Sequence, residues 1–260
     1  MYSWMLELWK YRELLFALSI REIKIRYKQT VFGILWAIIQ PLSLMIVFTF
    51  VFSYFLKIDT GHVPYPIFAY SALLPWTFFS TSLYFGSLSV ITNSSLITKV
   101  YFPREILPFS SLGVAILDLA VASFLFMGMV LVYNTPITFN LIFIPVILLV
   151  EIAFTAAILL IFSTLIVIWR DLKFVIPLIT QLWFFATPVI YPLAKIPEKY
   201  RFIYMINPIS IIVDDFRAVS VYGTQPNWYG LIIAGSISLF IFVAGYIFFK
   251  ANEKRFADIV

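Results

Sequence analysis

An all-α polytopic membrane protein is the fold class this sequence predicts: six transmembrane helices, an N-terminal amphipathic interface helix, and short extracytoplasmic re-entrant helices. Three observations predict it. The 260 residues are 62% hydrophobic and only 12% charged, whereas a soluble domain is about half apolar and a quarter charged, so one soluble core cannot hide the excess. Several uninterrupted stretches approach or exceed the roughly 20 apolar residues that cross a bilayer core of about 30 Å. The charges gather in the short segments between those stretches.

The first 31 residues form a separate unit. In "WMLELWKYRELLFALSIREIKIRYK" no window lacks charge for long enough to span. At 100° per residue, Met5, Trp9, Phe16, Ile20, Ile23 and Tyr27 share one narrow stripe flanked by Lys10, Arg21, Lys24 and Lys28. Such a helix lies in the headgroup plane; whether its other side also meets a partner is open on this pattern alone. The segment is too charged, and lacks a small-residue cleavage site, to be a removable signal peptide.

Residues 32–260 then read as the six-span domain, with spans near 32–56, 66–92, 106–133, 141–169, 174–192 and 229–249. Only "RDLK" separates the fourth from the fifth, which makes a tight antiparallel hairpin. The fifth, "FVIPLITQLWFFATPVIYP", carries Pro177 near its start, where a missing N–H matters least, and Pro188 and Pro192 at its outer end. With the N-terminus inside, 13 of the 18 Lys and Arg fall in inner segments and 5 in outer ones, and the positive-inside rule then puts both termini in the cytoplasm. The spread of these charges along membrane flanks makes lipid headgroups, not nucleic acid, their counter-ions.

Several chemistries are excluded. No cysteine is present, and the single histidine, His62, has no second imidazole with which to hold zinc; it is read as a solvated loop residue, and no metal site is expected. No Gly-Lys pair occurs, so the chain holds no GxxxxGK[ST] phosphate loop, and nucleotide-driven work falls to another chain. No catalytic constellation stands out, and the chain is not read as an enzyme. Asp118 and Glu151 lie inside spans three and four, where a charge is expensive and marks function or pairing. They lack basic partners within the spans, so a proton relay and a structural or cavity-facing carboxyl both remain open.

Two helical faces mix flat rings with polar groups: Trp36, Gln40, Ser43, Phe50 and Tyr54 in span one, and Thr180, Phe184, Thr187 and Tyr191, beside Gln181 and Phe185, in span five. Lipid tails suit such a face poorly. It fits a sugar, whose hydroxyls need partners while its C–H faces lie on rings, or equally a helix–helix interface joined by small polar groups. The segment 193–228 is too polar to span and too apolar for a free loop. Pro197 and Pro208 divide it into helical pieces near 198–206 and 208–221, the second with Ile209, Ile212, Val213 and Phe216 on one face. This pair reads as a re-entrant lid, with Asp214, Asp215 and Arg217 as solvated charges.

The runs "YKQTVFGILWAIIQPL" (27–42), "NSSLITKVYFPREILP" (93–108), "RDLKFVIPLITQLWFFATPVIYP" (170–192) and "INPISIIVDDFR" (206–217) together resemble the membrane permease of type-2 ABC exporters. The specific branch exports O-antigen, capsule or teichoic acid, with Wzm-like transmembrane subunits. The resemblance implies a homodimer in the cytoplasmic (inner) membrane, two copies of a separate cytoplasmic ABC ATPase that binds the ATP and Mg, and a lipid-linked polysaccharide as substrate. It implies ATPase contacts in residues 2–28 and 94–104, among them Lys10, Arg21, Lys24, Lys28, Lys99 and Arg104. It also implies a channel lined by spans one and five, and a gate formed by the outer helices with Ile209, Ile212, Val213 and Phe216. No cofactor is expected in this chain itself.

Overall fold

The computed structural model describes residues 9–28 and 30–259, so Met5 and the first turns of the interface segment lie outside the described residues. The described residues include, in order, α1 (Arg12–Tyr27), α2 (Gly33–Phe55), α3 (Tyr65–Thr92), α4 (Ser94–Lys99), α5 (Ile106–Val132), α6 (Ile144–Ile168), α7 (Leu172–Phe185), α8 (Glu198–Ile206), α9 (Pro208–Ser220) and α10 (Trp228–Ile259). A 3₁₀ turn, Phe139–Phe143, leads into α6. Among the described residues no strand occurs.

Among the described residues, four stretches are long and apolar enough to cross a membrane: Gly33–Phe55, Ile106–Val132, Phe139–Ile168 and Trp228–Phe256. They coincide with the first, third, fourth and sixth predicted spans. The second, α3, has 28 residues, about 42 Å at 1.5 Å per residue, but is less apolar because serines and threonines interrupt it. Several of those hydroxyls are satisfied within the helix, Ser71 donating to the Phe68 carbonyl at 2.9 Å and Ser89 to that of Gly86 at 2.7 Å, while buried Ser82 Oγ has no hydrogen-bond partner. Ile67, Phe68, Tyr70, Leu73, Leu74 and Phe79 are fully buried, which makes α3 the central post around which α2, α5, α6 and α9 pack. By contrast α2 is mostly uncovered, with only Pro41 and Met45 buried.

The fifth predicted span requires correction. Its helix, α7, has 14 residues and stops at Phe185, about 21 Å against the 30 Å of a bilayer core. The stretch 186–192 is a series of turns. Pro188 and Pro192 forbid continuation there, since proline removes the N–H that a further turn needs. Pro177, expected at the helix start, is the sixth residue of α7 and costs it the bond to the Lys173 carbonyl. The last predicted span also extends: α10 runs on past 249 to Ile259.

The most extensively packed helix pair among the described residues is α6 with α10. A Cβ on Gly245 would sit 3.0 Å from the Ala157 carbonyl oxygen, so glycine is what lets the two backbones approach, as small residues do in membrane helix pairs. A second cluster at the end carrying α1, here the basic end, joins Leu18 of α1 to Val90, Ile97, Phe102, Ile106, Leu160, Phe249 and Phe256. The stripe predicted to meet lipid does so only in part: Trp9 and Phe16 are 69% and 68% exposed, Ile20, Ile23 and Tyr27 are half-buried, and it is Leu14, Leu15 and Leu18 that pack on this cluster.

Candidate functional site

At the basic end, α1 and α4 form one polar unit. Arg21 Nη2 donates to Asn93 Oδ1 at 2.9 Å, tying α1 to the residue that opens α4. An open groove on α1 is lined by Ala17, Ile20, Arg21, Lys24, Ile25 and Lys28. Lys10, Arg21, Lys24, Lys28 and Lys99 are exposed, so five of the six cations expected to meet a partner face outward. Arg104 differs: it is half-buried, and its Nη1 has no hydrogen-bond partner. Beside it, buried Glu105 accepts from Lys250 Nζ at 2.9 Å, and Lys250 also pairs with Glu253 at 3.0 Å. The C-terminal helix is thereby clamped to the start of α5.

Asp118 finds its partners outside the spans. Arg26 Nη1 lies 3.0 Å from its Oδ2, and Tyr27 Oη donates to its Oδ1 at 2.5 Å. The Arg26 guanidinium also sits 4.3 Å from the centre of the Phe85 ring, within cation–π range. The last turn of α1 is thus pinned to α3 and α5 at once. Trp36, Gln40, Thr77 and Thr81 join these residues around a cavity of about 50 Å³. Glu151, in contrast, is fully buried with both carboxyl oxygens unpartnered. Neither of Asp118's bonds leads toward it, so the contacts supply no relay between the two carboxylates.

The ringed faces are partly brought together. On α2, Trp36, Gln40, Ser43, Phe50 and Tyr54 are all exposed, and the Phe50 and Tyr54 rings stack at 6.0 Å. On α7, Gln181 and Phe185 are exposed. Phe184 turns inward, stacking on Phe48 of α2 at 5.5 Å and meeting Trp76 edge-on at 5.3 Å. Both threonines spend their hydroxyls locally: Thr180 donates to the Ile176 carbonyl, and Thr187, buried, to that of Trp183. Tyr191 Oη lies 2.8 Å from the Phe185 carbonyl and 3.0 Å from Tyr204 Oη, so it fastens the turns after α7 to α8.

At the far end, Ile209, Ile212, Val213 and Phe216 are all buried against α3 and α6. They anchor α9 in the core, and of these two outer helices it is α8 that carries outward apolar side chains: Tyr200, Phe202, Ile203 and Ile206. Arg217, read from sequence as solvated, is fully buried. Its Nε donates to the Phe68 carbonyl at 3.3 Å and its Nη2 to those of Pro188 and Val189 at 3.0 and 2.9 Å, with the guanidinium 3.7 Å from the Phe68 ring centre. Burial pulls Arg217 down to about 10, still protonated at neutral pH. One cation therefore holds together α9, the head of α3 and the non-helical exit of α7, whose carbonyls have no helical donors. Tyr65 adds a bond to the Ile190 carbonyl at 2.9 Å. Gly223, with φ of 67°, turns the chain after α9, and its carbonyl accepts from Asn140 Nδ2 at 2.7 Å.

The described residues thus place a polar α1–α4 platform at one end and a paired α8–α9 cap at the other. Residues 13–221 match the family model described as ABC-2 type transporter. The chain belongs to that family. Among its relatives, the O-antigen export system permease protein RfbA of Myxococcus xanthus is 30% identical over 254 residues, covering 97% of each chain. A protein of the same name from Klebsiella pneumoniae is 29% identical over 95% of each. The polysialic acid transport protein KpsM of Escherichia coli is 22% identical over 92% of this chain and 93% of its own. The ABC-2 match takes in α1 through α9, and the relatives extend it across α10.

Proposed function

We propose that this chain is the membrane subunit of an ATP-driven exporter that moves a lipid-linked polysaccharide, O-antigen, across the cytoplasmic membrane. The observation that carries the reading is the end-to-end similarity to two O-antigen export permeases. The exposed rings and amides on α2 and α7 support it.

In this reading the chain has six spans, with α3 and α7 as the second and fifth, and both termini are cytoplasmic. Two copies assemble around a channel that neither completes alone, and α2 and α7 contribute its wall. Trp36, Gln40, Ser43, Phe50, Tyr54, Gln181 and Phe185 contact the glycan directly. Phe184, Thr180, Thr187 and Tyr191 hold the wall in shape from behind. Rings repeated along a path bind each sugar weakly enough to let the polymer slide.

A separate ATPase, two copies per complex, binds ATP and Mg and docks on the α1 groove and α4, with Lys10, Arg21, Lys24, Lys28, Lys99 and Arg104 on that side. Its closure pushes on α1. The push passes through the Arg26–Asp118–Phe85 contacts into α3 and α5, and along α3 to Phe68 and the Arg217 junction. Differential binding of the two ATPase states shifts the equilibrium between closed and open channel. At the far end α8 and α9 form the gate, with Ile209, Ile212, Val213 and Phe216 as its hinge-side anchor.

The test replaces Trp36, Tyr54 and Phe185 by Ala. Surface polysaccharide should fall while membrane insertion and ATPase association persist; unchanged export from all three variants contradicts the wall assignment. Polysialic acid is a second reading, favoured by the similarity to KpsM, and glycan analysis of a deletion strain separates the two.

A further inference from the structure

The last part of α2, Thr49–Phe55, winds as a π-helix, and the ladder closes on Leu56, whose N–H reaches the Val51 carbonyl, five residues back, at 3.1 Å. Such winding is rare, occurs mostly as single turns inside α-helices and concentrates at functional sites. The segment runs out through Lys57, a non-glycine residue at φ of 49°, a left-handed conformation that a side chain with a Cβ adopts only at a cost. At its start, Thr49 Oγ1 is buried without a hydrogen-bond partner, although a threonine inside a helix ordinarily gives its hydroxyl to a carbonyl one turn back. Departures of this kind, gathered in one short stretch, are the mark of an element held between two arrangements.

The winding decides which rings meet. Phe50 touches Tyr54, four residues on, with ring centres 6.0 Å apart, and Phe55, five residues on, at 5.1 Å. At about 100° per residue, an α-helix puts positions i and i+4 about 40° apart but i and i+5 about 140° apart. Winding the segment as an α-helix therefore keeps Phe50 beside Tyr54 and parts it from Phe55.

The inward face tolerates either winding. Phe48 and Phe52 are also four residues apart, with ring centres at 6.0 Å; Phe48 stacks on Phe184 of α7 at 5.5 Å and Phe52 on Tyr65 of α3 at 6.4 Å. On the other side Phe50, Tyr54, Phe55 and Leu56 are exposed, so little packing within the chain fixes them. The π winding is favoured by one ring contact, Phe50 on Phe55, and opposed by the strained exit at Lys57. Two arrangements separated by so few contacts lie close in free energy.

We infer that the segment 49–55 is a two-state winding element, π-helical in the state seen here and α-helical in a second, and that Phe55 is the side chain it moves: against Phe50 in the first and about 140° around the helix from it in the second. That the two windings accompany closed and open channel rests on the proposed function; the change of winding itself does not.

The experiment is ¹⁹F NMR on the full chain in nanodiscs, with a para-fluorine on the ring of Phe55. Phe50→Leu should shift the main resonance, because it removes the ring that Phe55 touches. Relaxation dispersion, which reads exchange on the μs–ms scale, should reveal a minor state of about 0.1–10% whose resonance does not depend on Phe50. Deleting Val51 removes the extra residue of the wide turn, so that minor resonance should become the main one. A flat dispersion profile overturns the inference, as does a main resonance that neither Phe50→Leu nor the deletion moves. If the deletion variant fails to fold, the dispersion profile and the Phe50→Leu shift decide between them. Because the readout needs neither ATPase nor glycan, a negative result here is distinct from failure of the export reading.

Discussion

Replacing Arg217 by Met isolates the junction that the structure places at the far end. Met fills similar space without charge or donors, so the Pro188 and Val189 carbonyls, now 3.0 and 2.9 Å from Nη2, are left bare. Each buried acceptor without a partner costs about 1–3 kcal/mol. The Phe68 bond at 3.3 Å is longer and adds little, but the ring contact at 3.7 Å is worth about 1–2 kcal/mol when desolvated. Opposing these losses, the variant no longer buries a guanidinium, and such desolvation often cancels much of what a buried charge contributes. The net expectation is a loss of about 2–4 kcal/mol. Arg217→Lys, which keeps the charge but cannot present a planar fork to two carbonyls, should fall between. Denaturant unfolding of the detergent-solubilised chain, followed by tryptophan fluorescence, measures both. Trp183 reports locally, since its Nε1 donates to Asn207 at 3.1 Å just ahead of α9. A Met variant as stable as wild type, or more so, refutes the junction's structural role.

Further expectations follow from other contacts. Arg26→Ala and Asp118→Asn should be non-additive in a double-mutant cycle, with a coupling of about 1–3 kcal/mol; additive losses contradict the clamp. Glu105→Gln should loosen the C-terminal helix by removing the charge that Lys250 meets at 2.9 Å, read as faster hydrogen exchange at residues 250–256 with α3 unchanged. Asp215 is pushed up to about 7 by burial and by the neighbouring Asp214, against the opposing Asn227 hydrogen bond. The folded protein therefore holds this proton more tightly than the unfolded chain, where the carboxyl titrates near about 3.9. Its contribution to stability is complete below about pH 4 and is lost as pH rises toward 7. Unfolding midpoints in Asp215→Asn should lack that slope.

The spans were legible because hydropathy and helix length act locally: four apolar runs in the sequence are four long apolar helices. The proline-bounded pieces after 197 were legible for the same reason, and α8 and α9 begin directly after Pro197 and at Pro208. What depends on distant partners was not. Arg217 looks solvated beside two aspartates, and only the fold brings the Phe68 carbonyl, 149 residues away, to its Nε. Asp118 looks unpaired because its cation, Arg26, lies outside the spans. The face Ile209, Ile212, Val213 and Phe216 was read correctly as one stripe, but a stripe does not say whether it meets a channel or a core. Nor does an apolar count reveal where a helix stops: Pro188 was the one signal in the sequence that α7 ends early.

The central claim, ATP-driven export of a lipid-linked glycan, is tested most directly in proteoliposomes holding this chain with its ATPase. The measurement is movement of a labelled lipid-linked O-antigen from one leaflet to the opposite side. The account predicts glycan transfer that requires ATP hydrolysis and falls when Trp36, Tyr54 and Phe185 are replaced by Ala. No transfer in the presence of ATP, or transfer driven equally by an ion gradient without it, would contradict the account.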